Sequence, residues 1–198
     1  MMFRRIHTLF HGLAWMMAVI GGAVLLALVL MTCLSILGRT ASTLLYSTWM
    51  QANMPGTARW LLDAGVGPLF GDYEFLAAGL AFSIFCFLGW CQITGGHATV
   101  DVFTARLGDR ARRILQMLIE IAFAVALVLV AVQLLDGMTT MMRRHSTTFL
   151  LQYPIWWNYA LALVPAVLTA LIGVYMALVR IAEAVTNTPW IGMHGAHQ

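Results

Sequence analysis

The sequence contains no lysine. All eleven of its cationic side chains are arginines, and they stand at the ends of apolar runs instead of forming a basic patch, which argues against a nucleic-acid surface. Charge of either sign is scarce: 10% of the 198 residues are charged and 61% are hydrophobic, a balance that excludes an ordinary soluble domain. Cysteine is scarce too. Cys33, Cys86 and Cys91 are odd in number and lack metal-knuckle spacing, so they are expected to be small core residues without a disulfide framework. No nucleophile-base set, phosphate loop or metalloprotease motif is present, and nothing points to an enzyme. The inverted pair of broken helices usual in a self-sufficient secondary transporter is missing as well. The length allows one compact helical bundle and no separate catalytic domain.

What is present is a set of four long apolar runs. A bilayer core of about 30 Å needs roughly 20 apolar residues in a helix. The runs at about 13–37, 75–93, 114–135 and 154–179 meet that requirement. Lipid cannot satisfy backbone polar groups, so each run is expected to be a continuous helix; the alternation of barrel strands is absent. The expected fold is an all-α integral membrane protein, a single membrane domain over residues 1–198 with four transmembrane helices. The first run is longer than the roughly 7 to 15 apolar residues of a signal peptide, and no small-residue cleavage site precedes Arg39; it is expected to be a retained span.

Arginine placement sets an orientation. With the N-terminus inside, the inner segments hold Arg4, Arg5, Arg106, Arg110, Arg112, Arg113 and Arg180. The outer segments hold Arg39, Arg59, Arg143 and Arg144. The excess on the first side predicts N-in, C-in. Trp15 and Trp90 then fall near the inner interface, and Tyr73, Tyr153, Trp156 and Trp157 near the outer one.

The connections have structure of their own. Residues 39–73 place Leu45, Trp49 and Met50, then Trp60 and Leu61, as amphipathic helices would, broken by Pro55-Gly56 and ended by Gly65, Gly67-Pro68 and Gly71. They form either a surface-lying anchor or a partner-binding arm. The segment "GGHATVDVFTARLGDRARR" at 95–113 gathers four arginines and two acids between two apolar runs. Gly95-Gly96 should stop the second span. Val100, Phe103 and Leu107 then make an amphipathic turn or two over about 97–108. Gly108 breaks it, and Asp109 is placed to cap the third span. The segment is an elbow.

Few residues could carry chemistry. His97 and Asp101 share a helix face; they form either a proton relay or half a metal site, or a structural hydrogen bond that fixes the elbow. Glu120 is an intramembrane acid, roughly 10 Å along the helix from Ile114. Such a residue is a functional candidate by default, and the structural alternative is pairing with Arg5 or Arg180, or a hydrogen bond with Gln116. Gln133 also interrupts the third run. Pro165 should kink the fourth helix, Pro154 suits its first turn, and Gly21-Gly22 with Ala23 permits a close helix contact, internal or with a partner. His7, His11, His97, His145, His194 and His197 all lie at span ends, loops or tails, which argues against haem held between helices.

The elbow also resembles a known family. Gly95, His97, Val100 and Asp101 match the G-x-H-[IV]-x-V-D-x-L…L…R segment between the second and third helices of the small permease subunit of tripartite ATP-independent periplasmic (TRAP) transporters. Leu107 matches the later leucine, and Arg112 or Arg113 the arginine before the third helix. Glu74 and "LLQYPIWWNYALALVPAVLTAL" resemble the family too, and the resemblance spans most of the chain. Ile93-Thr94 and Ala98 depart from it, and the 39–73 connection is longer than usual. The resemblance implies a multi-pass protein of a bacterial or archaeal inner membrane that braces a large permease subunit. That partner would hold sodium and substrate, an organic acid delivered by a periplasmic substrate-binding protein. The small subunit would need no cofactor or metal of its own, touch membrane lipid, and bind no nucleic acid. It implies that Gly95, His97, Val100, Asp101, Arg112 and Arg113 form the elbow used in assembly. Arg143, Arg144, Trp156 and Trp157 are candidates for outer-face partner contacts. Two other classes stand beside it: a haem- or quinone-binding anchor of a redox enzyme, and a small self-sufficient exchanger that uses Glu120.

Overall fold

A computed structural model describes residues 2–96 and 109–186, without the side chains of residues 2–4, 109, 110, 112, 113 and 185. The elbow residues His97, Val100 and Asp101 and the whole 97–108 segment lie outside the described residues, as do His194 and His197. The described residues hold six helices and no strand: α1 (Met2–Leu45), α2 (Thr48–Asn53), α3 (Pro55–Asp63), α4 (Asp72–Thr94), α5 (Asp109–Arg143) and α6 (Trp156–Thr186). Four of them, α1, α4, α5 and α6, are long and apolar enough to cross a membrane.

The helices outrun the apolar stretches that define the spans. At 1.5 Å per residue α1 is roughly 65 Å long, about twice the thickness of a bilayer core. It passes Leu37 and continues through Arg39 to Leu45, so the first part of the 39–73 connection is an extension of the span itself. Only then do α2 and α3 follow. Ser47 caps α2 by accepting the N–H of Met50 at 3.4 Å, and α3 opens on Pro55, where a missing N–H costs nothing. Trp49 and Trp60 project from these short helices with most of their surface exposed. On the far side α5 runs past Leu135 to Arg143. The fourth helix starts at Trp156; Pro154 precedes it, pairs with Thr147 in an isolated bridge, and lends its carbonyl to the N–H of Trp157 at 3.1 Å. Pro165 is buried inside α6, which continues through it to Thr186.

Packing follows a zigzag row instead of a closed ring: α1 lies on α4, α4 on α6, and α6 on α5. Two apolar clusters fill the joints. Ala14 and Met17 of α1 meet Cys86 and Ile93 of α4 and Ile172 and Met176 of α6. Leu127 and Ala131 of α5 meet Ala170 of α6, with Leu88 of α4 alongside. Close approach is made by small residues, as helix pairs in lipid require. A Cβ on Gly21 would stand 2.6 Å from Cβ of Cys86, so the Gly21-Gly22 contact is internal, with α4. Hydrogen bonds tie the same joints: Ser83 Oγ donates to the carbonyl of Gly21 at 3.1 Å, and Thr169 Oγ1 to that of Phe85 at 2.8 Å. Cys86 is buried as expected of a core residue and Cys91 is half-buried. Cys33 is exposed on the open side of α1, so its apolar neighbours in sequence did not make it a core residue.

Candidate functional site

Two polar assemblies lie at opposite ends of the helices. At the first end α4 stops at Gly95, whose left-handed backbone (φ 64°) is natural to glycine. Gly96 returns its N–H to the carbonyl of Cys91 at 3.0 Å. Three residues before that stop, Gln92 is fully buried and donates from Nε2 to Oε2 of Glu120 on α5 at 2.5 Å. Arg180 of α6 is near enough to act on Glu120 electrostatically and pairs with Glu183, Nη1 to Oε2, at 2.8 Å. Glu120 and Glu183 are both buried. A carboxylate there needs a hydrogen bond and a counter-charge, and α4 and α6 supply one each. Of the partners expected from sequence, Arg180 is in place. Gln116 is half-buried on the preceding turn, and Gln92 takes the role of donor among the described residues. Glu120 is level with the last turns of α4 and α6, closer to the rim of the apolar slab than its place in the third run suggested.

The aromatic surroundings of this end come from α1, α4 and α6. Phe10 stacks on Tyr175 with centroids 4.6 Å apart, His11 stands edge-on to Trp90 at 5.0 Å, and Nδ1 of His7 lies 3.4 Å from the Tyr175 hydroxyl. His7 and His11 lie on one helix, one turn apart, and their rings turn toward these aromatics. Arg112 and Arg113 belong to the first turns of α5; their side chains lie outside the described residues.

At the opposite end Glu74, in the first turn of α4, reaches across to the connection between α5 and α6. Its Oε1 accepts the N–H of Leu150 at 2.7 Å, and its Oε2 that of Leu151 at 3.1 Å. The connection is a narrow hairpin: Thr148 N–H bonds the Tyr153 carbonyl at 2.9 Å and Ile155 N–H that of Ser146 at 3.0 Å. His145 and Gln152 sit at its corners with φ of 50° and 56°. Gly71 is left-handed (φ 78°), and a Cβ there would come within 2.5 Å of Leu151, so the hairpin can close down on α4 only over a glycine. Alongside, Asp72 accepts from Ser35 Oγ of α1 at 2.5 Å and lies 3.8 Å from Arg39.

The residues proposed for partner contacts surround this hairpin. Arg143 closes α5 and Arg144 opens the hairpin, both exposed. Trp157 is 55% exposed and edge-on to the less exposed Trp156 at 6.1 Å; Tyr153 and Phe75 extend the aromatic group. Phe149, at the tip, is 90% exposed. Three contributors went unrecognised in the sequence. Gln92 and Glu183 look like single polar residues near span ends, and Asp72 like a loop acid.

The chain belongs to the DctQ component family of tripartite ATP-independent periplasmic transporters. The family model, described as "Tripartite ATP-independent periplasmic transporters, DctQ component", matches residues 28–184, which takes in both polar assemblies and the joints among α4, α5 and α6, while the α1 contacts from His7 to Gly21 precede it. The chain is therefore the small permease component of a TRAP transporter, a multi-pass protein of the inner membrane. No curated protein and no solved structure matches it.

Proposed function

We propose that this subunit is a brace: it holds the stationary part of a large permease subunit in the membrane while that partner carries an organic acid inward with sodium. A periplasmic binding protein delivers the acid. Sodium and substrate sit on the large subunit, and this chain needs no cofactor or metal of its own. One observation carries the proposal. The buried polar side chains Ser35, Ser83, Gln92, Glu120 and Thr169 are spent on hydrogen bonds that lock the chain's own helices together, and Glu183 on an ion pair with Arg180 within α6. Polar groups used this way stiffen a layer; a transport site would hold them open toward an aqueous path.

The arginine asymmetry puts the Arg180 end at the cytoplasm, with both termini, and the Glu74 hairpin at the periplasm. Gly95, His97, Val100, Asp101, Arg112 and Arg113 then form a cytoplasmic elbow used in assembly. Arg143, Arg144, Trp156 and Trp157 stand where an outer partner would arrive. The test is affinity purification from a membrane containing this chain and its large subunit. Tagging either one is expected to recover both in a constant ratio; a chain that purifies alone, stable and active, defeats the proposal.

A further inference from the structure

The outward side of α5 is not uniformly apolar. Ala124, Leu127 and Ala131 form its inner seam against α6. On the opposite side Ala122, Ala126, Leu129, Gln133, Asp136 and Arg143 recur mostly at alternating steps of four and three, which keeps them in one line on a helix of 3.6 residues per turn. All six are exposed. Gly137 packs under Tyr159 in the first turn of α6, so Gln133 lies one turn deeper in the apolar slab than that contact. Among the described residues neither the Gln133 amide nor the Asp136 carboxylate has a hydrogen bond or ion pair. Hydrocarbon offers an amide no partner, and polar side chains within spans face protein or water. The open stripe of α6 is different. Leu161, Val164, Leu171 and Leu178 are aliphatic, as a lipid-facing line should be.

We propose that this side of α5 is the surface on which a transmembrane helix of the large permease subunit docks, an inference that rests on the bracing role above. The alanines at 122 and 126 let a second backbone come close. The partner helix answers the Gln133 amide with a hydrogen-bonding side chain, sets a cationic or donor group opposite Asp136, and sets an acceptor opposite Arg143. The charges argue against a second copy of this chain as the occupant. Two copies in one membrane share an orientation, so a symmetric pair through this face would set Asp136 against Asp136 and Arg143 against Arg143.

A photoreactive amino acid placed at 126, 133 or, on α6, 171 tests this in the full chain co-expressed with its large subunit. Adducts with the large subunit are expected from 126 and 133 and not from 171. Gln133→Leu should lower the large subunit retained on purification by about threefold or more, the scale of one interhelical hydrogen bond, with no change in the amount of this chain found in the membrane. Adducts from 171 alone, adducts between two copies from 133, or full retention by Gln133→Leu each overturn the docking face. If the two subunits co-purify without adducts at 126 or 133, the face is wrong and the brace stands; if they never co-purify, both fall.

Discussion

The carboxylate of Glu74 holds the backbone N–H of Leu150 at 2.7 Å, joining the first turn of α4 to the tip of a hairpin far along the chain. Leu151 shares the grip at 3.1 Å. The hairpin's exposed Phe149 and its flanking arginines are therefore held on a fixed base. Glu74→Ala should release it. Hydrogen exchange at Leu150 and Leu151 is expected to speed up while the middle of α4 and α6 keeps its protection. Unchanged exchange at both amides would mean that the hairpin is held by its own backbone bonds.

The contact of Gly21 with Cys86 gives a second test. Gly21→Val forces branched carbon into a joint where even a Cβ would stand 2.6 Å from its neighbour. Overpacking of this kind costs about 1–3 kcal/mol, read as a lower melting temperature in detergent. Gly12, on the same helix, has nothing within 4 Å of an added Cβ. Gly12→Ala should be neutral or stabilising by up to about 1 kcal/mol. Equal effects at the two sites would remove the packing explanation.

How much of this could be read in the sequence differs by element. The four spans and the halt at Gly95 were legible, because long apolar runs and a glycine after them are local signals. The reach of α1 to Leu45 was not: Arg39, Thr40 and Ser42 look like a loop after an apolar run, yet they extend a helix already nucleated. Pro154 was expected inside the fourth helix and instead pairs with Thr147 ahead of it, since the hairpin needs that residue extended. Glu120 could be singled out as a buried acid, but its donor could not. Gln92 lies 28 residues away on another helix, and no periodicity links them. Glu74 stood out only through family resemblance, because a grip on the backbone of a distant loop leaves no pattern in either segment.

Glu120 separates a scaffold from an exchanger. Gln92→Leu leaves the Glu120 carboxylate buried without its donor and is expected to destabilise the subunit by about 1.5–3 kcal/mol, the range of a hydrogen bond to a charged group. Glu120→Gln keeps a hydrogen-bonding group beside Gln92. The assembled transporter carrying it should keep its uptake rate and its sodium dependence. Loss of uptake with normal assembly would place Glu120 in the transport cycle.

For the elbow, His97→Ala and Asp101→Ala are expected to weaken recovery of the large subunit and leave substrate affinity of the surviving complex unaltered. Normal recovery with a changed affinity would assign these residues to the cargo path.

The most direct measurement is solute uptake into vesicles under an inward sodium gradient. Vesicles containing only this chain should accumulate no organic acid. Those with the large subunit and binding protein but without this chain should be slow, and adding it should restore uptake. Sodium-driven uptake by the isolated chain, or full activity without it, would contradict the bracing role.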